Sequence, residues 1–257
     1  MTTDGNDCTL EIRVRFDEAG PDGLVRTSTL LRYAQDLASF HSAERGFDRA
    51  WYAQRGLSWL ARTAAVAVLA PIVHGSSISG TTRVVGERRV WARRRTDFVD
   101  GRGMLVAWTH VDWVLLDARG APTRIPAAFE GAFGSPKATF PLGRVDLEEP
   151  TTDARRLAFA VRPQELDPMV HVNNAVYADW LDEAVIAAGD LPAVRAIPRL
   201  ASLEYARSAE PAATLTSEVW PSHGGWAFRL SESAGRALLR ARLAPIDHPA
   251  DEASAVD

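Results

Sequence analysis

The first half of the chain shows the pattern of one strand, one amphipathic helix and then several strands. Residues 9–16 alternate apolar and polar side chains, which predicts a half-buried β-strand. After a turn-rich stretch, apolar residues recur at three- and four-residue spacing as far as about Arg45, and Gly46 ends this predicted helix. Three β-like runs follow, at 57–69, 76–90 and 104–116, and a glycine inside the second of them, Gly86, predicts a bulge.

The second half repeats that order. It begins with a strand at 157–162 and a helix at 172–188, and four β-like runs follow at 196–206, 212–220, 226–232 and 236–244. A repeat of this kind, with one helix for each set of strands, predicts an α+β fold made of two similar units. We expect the two units to pack side by side as a fused pseudo-dimer.

Breaks in this pattern set the predicted domains. Proline, glycine and acidic residues mark 134–153 as a linker between an N-terminal unit at 9–133 and a C-terminal unit at 154–246. The polar tail at 247–257 is predicted to be disordered.

Composition narrows the classes of protein to consider. The chain has 257 residues, of which 46% are hydrophobic and 24% charged, as expected for a globular protein with a buried core. Its net charge of −4 gives no case for nucleic-acid binding. No apolar run approaches the roughly 18 residues of a membrane span, and the first residues do not form a signal peptide. Because there is one cysteine, Cys8, we expect no intrachain disulfide and a cytoplasmic location.

Candidate chemistry concentrates just before the second predicted helix. Asp167 and His171 precede its first turn, where unpaired backbone N–H groups point outwards. A carboxylate, an imidazole and free amides at one helix start can activate a nucleophile and stabilise an oxyanion. Residues of these types also cap helices, and Pro168 suits a loop, so capping and catalysis both remain open from the local residues alone.

The longer motif resembles a known family. Asp167, His171-Val172-Asn173-Asn174 and the Tyr177, Trp180 and Glu183 that follow resemble the second-half motif of acyl-ACP thioesterases. More broadly they resemble the Asp-x-x-Gly-His-Val-Asn-Asn motif of 4-hydroxybenzoyl-CoA-thioesterase-like hotdog proteins. Shorter similarities occur in the family's order at Gln35 to Ala38 with His41 and Gly46, Gly56 to Arg62, Arg124 to Pro126, and Leu203 to Tyr205.

Several positions depart from the family pattern. Met169 stands where the family often has asparagine, and Val170 stands where the looser motif has glycine. Ser208 and Ala209 stand where plant-type members carry a Glu-Cys pair. The family's triad of asparagine, histidine and cysteine or glutamate is therefore not available in that form.

The resemblance implies a fold and a function. The fold is a double hotdog, with two antiparallel sheets that each wrap around one long helix. The function is hydrolysis of acyl thioesters, as an acyl-ACP thioesterase that releases a fatty or polyketide-type acid. The implied partner is an acidic acyl carrier protein or acyl-CoA, without nucleic acid or membrane. No cofactor is expected, because the substrate carries its own phosphopantetheine, and the protein is expected to be a monomeric pseudo-dimer or a homodimer.

The resemblance also suggests roles for individual residues. Asp167 is expected to act as the general base for water, with direct nucleophilic attack as the alternative, and His171 to orient or polarise the water and the thioester. Asn173 either takes part in catalysis or anchors the loop. Backbone N–H groups of Val172 and Asn173 are expected to face the oxyanion. Asn174, Tyr177 and Trp59 are expected to contact the substrate. The first half lacks an equivalent Asp/His pair, so we expect it to shape the acyl pocket. The remaining histidines show no metal-ligand spacing, and no metal is expected.

One cluster of arginines and two rival functions remain open. A run of cations includes Arg88, Arg89, Arg93, Arg94 and Arg95. It is interpreted either as a solvated hairpin or as a docking site for the carrier protein or for coenzyme A phosphates. A hotdog fold also serves hydratases and dehydratases, and the departures from the family motif leave room for a non-catalytic acyl-binding protein.

Overall fold

The strands of both halves join into one antiparallel sheet. The computed structural model describes residues 2–4, 6–134, 143–232 and 234–246. In chain order, the strands are β1 (Thr2–Asp4), β2 (Asp7–Arg13), β3 (Ser58–Val68), β4 (Ser77–Arg88), β5 (Trp91–Asp100), β6 (Leu105–Leu116), β7 (Arg155–Ala160), β8 (Arg199–Tyr205), β9 (Thr214–Ser222), β10 (Gly225–Glu232) and β11 (Ala237–Pro245). The helices are α1 (Thr27–Glu44), α2 (Arg49–Arg55), α3 (Ala128–Phe133), α4 (Val176–Ala187) and α5 (Leu191–Arg195).

The predicted separation into two sheets is not confirmed. The eleven strands follow the order β1-β2-β4-β5-β6-β3-β8-β11-β10-β9-β7, so each half contributes one continuous block. The blocks meet where β3 pairs antiparallel with β8, from Thr63 opposite Glu204 to Val68 opposite Arg199. An edge strand exposes unpaired N–H and C=O groups, and this pairing satisfies them for both halves. The α+β class and the antiparallel sheet agree with the prediction.

The two long helices pack on the strands of their own half and contact each other. Helix α1 contacts β2, β3, β4 and β6, and α4 contacts β7, β9 and β10. Between the helices, the Arg32 guanidinium and the Asp179 carboxylate form an ion pair of 2.8 Å. Apolar residues at helical spacing, such as Leu30 and Leu37 in α1 and Leu181 in α4, are fully buried.

Helix α4 starts later than predicted. The prediction placed its start at residue 172, whereas the structure begins it at Val176. The Asn173 side-chain oxygen accepts a hydrogen bond from the Ala175 N–H at 2.9 Å, and the Val176 N–H donates to the Asn173 carbonyl at 2.9 Å. An asparagine that bonds the backbone two residues later favours a turn over a helix, so the residues before Val176 stay in the loop.

Other differences lie in short or highly charged elements. The predicted bulge is confirmed, because the β4–β5 register shifts between Val84 and Gly86. Strand β5 and the short helices α2, α3 and α5 were not predicted. Of the predicted linker, residues 135–142 lie outside the described residues, as does the whole tail at 247–257. Within the described ranges, no helix has both the length and the apolar character needed to cross a membrane.

Candidate active site

The loop before helix α4 folds around the Asp167 carboxylate. Its Oδ1 atom accepts hydrogen bonds from the N–H groups of Met169 at 2.8 Å and of His171 at 3.1 Å. The Asp167 N–H donates to the His171 carbonyl at 2.7 Å, and Val170 closes the turn with a φ of 62°. The second carboxylate oxygen, Oδ2, makes no hydrogen bond with any described residue. The loop therefore fixes the carboxylate and leaves one oxygen available.

A cavity of about 680 Å³ opens beside this carboxylate. Of its described lining residues, Asp167, Pro168 and Met169 come from the second half of the chain, and the others come from the first half. The first-half wall includes six aromatic residues: Phe47, Tyr52, Trp59, Trp113, Phe129 and Phe133. Pro168 and Met169 are exposed, so the Asp167 loop forms the mouth of the cavity.

Hydrogen bonds hold one side of the cavity wall in place. The Trp59 Nε1–H donates to the Tyr52 hydroxyl at 3.0 Å, and the Ser42 hydroxyl lies 3.0 Å from the same oxygen. Burial raises the pKa of the Tyr52 hydroxyl, which therefore stays protonated at neutral pH. Trp59 thus lies on the cavity wall, and its contact with substrate stays a prediction.

The predicted partners of Asp167 take different positions. The His171 side chain is exposed and is not among the described residues that line the cavity. The Asn173 N–H donates to the Glu165 carbonyl at 2.9 Å, so the prediction that this amide faces an oxyanion is wrong. The Val172 N–H makes no hydrogen bond with a described residue, but Val172 is 2% exposed and is not among the described cavity-lining residues, so its oxyanion role stays a prediction. The Asn173 side chain bonds the Ala175 N–H and lies 3.5 Å from the Gln35 amide of α1, which makes it a loop anchor.

Asn174 and Tyr177 support the start of α4 from inside the protein. The Asn174 carbonyl accepts a hydrogen bond from the Tyr205 hydroxyl at 3.1 Å. The Tyr177 hydroxyl accepts one from the Ala209 N–H at 2.9 Å, and the Tyr177 side chain is 1% exposed. Neither Asn174 nor Tyr177 is among the described cavity-lining residues. The structure therefore gives both residues a packing position rather than the predicted contact with substrate.

Replacing Tyr177 tests this packing role. We expect Tyr177→Phe to lower the free energy of unfolding by about 1–3 kcal/mol, because the buried Ala209 N–H loses its acceptor. KM for a thioester substrate should stay unchanged. Denaturant unfolding and steady-state kinetics on the same preparation measure both quantities. A rise in KM at unchanged stability would show instead that Tyr177 contacts the substrate.

The arginine run does not form one surface. The Arg93 guanidinium binds the Asp112 carboxylate at 2.7 Å, with side chains 8% and 2% exposed. The Arg95 Nε lies 2.6 Å from the Asp97 carboxylate, and its guanidinium stacks 5.0 Å from the Trp108 ring centre. The prediction that Arg93, Arg94 and Arg95 serve for docking is therefore wrong, since none of the three is an exposed cation.

Arg94 instead lines the cavity, and this position was missed. Successive side chains of a strand point to opposite faces, so Arg94 faces away from its two neighbours. This alternation separates Arg94 from Arg93 and Arg95, but it could be used only if β5 was predicted as a strand, and it was not. Arg88, the last residue of β4, and Arg89, in the turn that leads to β5, are exposed, and their docking role stays a prediction.

A second cation missed by the sequence analysis lies at the mouth. Arg49 of α2 is exposed, lines the cavity, and donates from Nη2 to the Pro168 carbonyl at 3.3 Å. This contact links the N-terminal half to the Asp167 loop. In the described part of the chain, no group of three or more His, Cys, Asp or Glu side chains has an arrangement that could hold a metal ion.

Comparison with known proteins agrees with the geometry. Family models match for the acyl-ACP thioesterase N-terminal domain over residues 5–127 and for the acyl-ACP thioesterase C-terminal domain over residues 148–219. The chain belongs to the acyl-ACP thioesterase family. No curated protein matches it.

Solved structures share the fold over nearly the whole chain. A protein assigned as an oleoyl thioesterase from Lactobacillus plantarum has a TM-score of 0.84 at 18% identity, covering 95% of this chain and 98% of that one. The 12:0-ACP thioesterase from Umbellularia californica has a TM-score of 0.79 at 21% identity, covering 95% and 98%. An acyl-ACP thioesterase from Bacteroides thetaiotaomicron has a TM-score of 0.77 at 13% identity, covering 93% and 97%. At these identities the likeness concerns the fold.

Proposed function

We propose that the protein hydrolyses acyl thioesters carried by an acyl carrier protein and releases the free fatty or polyketide-type acid. Membership of the acyl-ACP thioesterase family supports thioester hydrolysis. The observation that carries the proposal is the 680 Å³ cavity with the Asp167 carboxylate at its mouth. A mostly apolar cavity with the Asp167 carboxylate and the Arg49 guanidinium at its opening suits an acyl chain whose reactive end stays near solvent.

The two halves of the chain divide the work. The acyl chain enters between α1 and strands β3 to β6 of the first half, among Phe47, Phe129 and Phe133. The thioester carbonyl stays at the loop of the second half, where phosphopantetheine leads out to the carrier protein. No cofactor other than this phosphopantetheine enters the scheme.

Asp167 acts as the general base. Its free Oδ2 takes a proton from a water molecule, which adds to the thioester carbonyl carbon while Oδ1 stays bonded to the Met169 and His171 amides. The Val172 N–H stabilises the oxyanion. The C–S bond then breaks, the carboxylic acid forms, and the thiolate takes up the proton from Asp167. His171 contributes its amide to this arrangement, and an orienting role for its imidazole stays a prediction.

A thiol-release assay tests the proposal. Acyl-ACP and acyl-CoA substrates of increasing chain length are mixed with the protein, and the free thiol is measured over time. We expect release from acyl-ACP at one or more chain lengths, at a rate far above that of substrate alone. Absence of release at every chain length would contradict hydrolysis.

Non-catalytic acyl binding is the second candidate, and two observations favour it. The His171 imidazole points into solvent, and Ala209, at a position where plant-type relatives have a reactive side chain, supplies an amide to Tyr177 instead. A binding protein would hold an acyl thioester tightly and release no thiol. Calorimetric binding without turnover would therefore favour this candidate over hydrolysis.

Carrier-protein docking predicts a dependence on charge. Reversal of both exposed arginines, Arg88→Glu with Arg89→Glu, should lower kcat/KM for acyl-ACP by about tenfold at low salt, because an acidic partner loses its steering charge. Hydrolysis of a short carrier-free thioester should not change. The matched control is Arg102→Glu, an exposed arginine in the turn at the other end of β5. Equal losses for both substrates would contradict docking at this turn.

A further inference from the structure

The wall of the cavity contains a cation, Arg94, that forms no ion pair with a described carboxylate. We propose, on the basis of the proposed thioester hydrolysis, that Arg94 binds a carboxylate at the far end of the acyl chain, so that ω-carboxyacyl thioesters are preferred substrates. Three observations carry this proposal: the position of Arg94 in the cavity, its unused hydrogen-bond donors, and the neutral state of its neighbour.

Arg94 lies beside fully buried residues, whereas the mouth of the cavity is formed by exposed ones. It lines the cavity, and its guanidinium lies 5.7 Å from the ring centre of Phe133. Its nearest polar neighbours, His41 and Thr82, are both 0% exposed. Pro168 and Met169, which line the same cavity beside Asp167, are exposed. A chain that enters beside Asp167 therefore places its far end toward Arg94.

Part of the Arg94 guanidinium makes no hydrogen bond with a described residue. Its Nη1 group donates to His41 Nδ1 at 3.0 Å and lies 3.5 Å from the Thr82 hydroxyl. Its Nε and Nη2 groups donate to no described residue, and no described carboxylate forms an ion pair with it. The neighbours in the strand differ, since Arg93 and Arg95 each bind a carboxylate, at 2.7 Å and 2.6 Å. Nε and Nη2 form the edge that binds a carboxylate with two parallel hydrogen bonds.

His41 does not neutralise this charge. An arginine N–H can only donate, so His41 Nδ1 must accept, and the ring is the neutral form with its proton on Nε2. Burial and the Arg94 charge lower the pKa of His41 to about 4, which agrees with a neutral ring at pH 7. Burial also lowers the pKa of Arg94 to about 10, so its guanidinium remains charged.

A partly buried charge without an ion-pair partner is costly, and the Glu87 carboxylate, which lines the same cavity, forms no ion pair with Arg94, so a ligand carboxylate can supply that partner. The reaction itself is unchanged. Water adds to the thioester carbonyl, the C–S bond breaks, the thiol leaves with a proton, and the product is a dicarboxylic acid. The terminal carboxylate takes no part in bond making and serves for recognition.

Paired substrates test the preference. Adipoyl, suberoyl and sebacoyl thioesters of pantetheine are compared with hexanoyl, octanoyl and decanoyl thioesters by their kcat/KM values. The wild type should favour the ω-carboxy substrate of at least one pair by about tenfold or more. Arg94→Met should shift that ratio toward the plain acyl chain by about 10- to 100-fold, the range expected for a charge-assisted hydrogen bond. Arg94→Lys, which keeps the charge but loses the fork, should keep part of the preference.

A control variant and a binding measurement test the Arg94 site independently of whether the protein hydrolyses thioesters. Arg102→Met removes an exposed arginine that is not among the described cavity-lining residues and should leave the substrate ratio unchanged. Binding of non-hydrolysable suberoyl- and octanoyl-pantetheine amides to the Asp167→Asn variant is measured by calorimetry. Preference for the suberoyl compound supports the Arg94 site even if no thioester is hydrolysed. Equal or weaker binding of every ω-carboxy compound, with no effect of Arg94→Met or Arg94→Lys in correctly folded protein, would overturn it.

Discussion

Asp167→Asn should reduce thioester turnover by at least about a hundredfold, the lower end of what a general base contributes. The carboxamide oxygen can still accept the Met169 and His171 amides, which Oδ1 accepts at 2.8 and 3.1 Å, so the loop keeps its shape. What is lost is the basic Oδ2. The variant should therefore unfold at the same denaturant concentration as the wild type, and its defect should lie in kcat.

Two further results show whether the loss comes from the carboxylate itself. His171→Ala removes an exposed side chain but keeps the amide that holds Asp167, so it should lose less activity than Asp167→Asn. An equal loss in both variants would give the imidazole a direct part in the reaction. Near-normal kcat in the Asp167 variant would remove this residue from the mechanism.

Asp112→Ala should cost about 3–5 kcal/mol of stability, because it removes one half of a buried ion pair, the carboxylate that binds the Arg93 guanidinium. Arg93 binds Asp112 through two hydrogen bonds, at 2.7 and 3.0 Å, and the Thr63 hydroxyl donates to the same carboxylate at 2.9 Å. The Arg93–Asp112 pair joins β5 to β6, and the Thr63 hydroxyl connects β3 to the same carboxylate. Loss of the Asp112 carboxylate therefore loosens strands that line the cavity. Denaturant unfolding monitored by circular dichroism measures the change.

The control uses a carboxylate whose arginine partner is exposed. Asp117→Ala removes the partner of Arg119, whose side chain is 87% exposed, together with the acceptor of the Arg119 and Ala121 N–H groups of an exposed turn, and should lose less stability than Asp112→Ala. The double replacement Arg93→Met with Asp112→Leu removes both charges and should recover most of the stability. Equal effects of Asp112→Ala and Asp117→Ala would contradict the importance of the buried pair.

Long, periodic elements could be predicted from the sequence, and the joining of the halves could not. Helix α1 was predicted to end near Arg45 and ends at Glu44, because its apolar spacing and Gly46 are local signals. The pairing of β3 with β8 joins residues far apart in the chain, such as Thr63 and Glu204. Nothing in either strand's own pattern distinguishes an outer edge from this junction.

The positions of several charged residues could not be predicted for a related reason. Arg93 and Asp112 each look like surface residues, and they are buried because each neutralises the other across two strands. Arg94 between Arg93 and Arg95 was grouped with them by charge, although strand geometry turns it to the other face. The residues of the Asp167 loop could be grouped from the sequence because they are consecutive. The direction of the His171 side chain depends on tertiary packing that a motif does not encode.

The position of the bound substrate carbonyl shows whether the reaction takes place beside Asp167. A crystal structure of the Asp167→Asn variant with a non-hydrolysable acyl-pantetheine amide gives that position. We expect the acyl chain to bind inside the cavity among Phe47, Phe129 and Phe133. Its carbonyl should lie next to the side chain at position 167 and near the Val172 amide. An acyl chain bound anywhere else, or a carbonyl out of reach of position 167, would contradict this expectation.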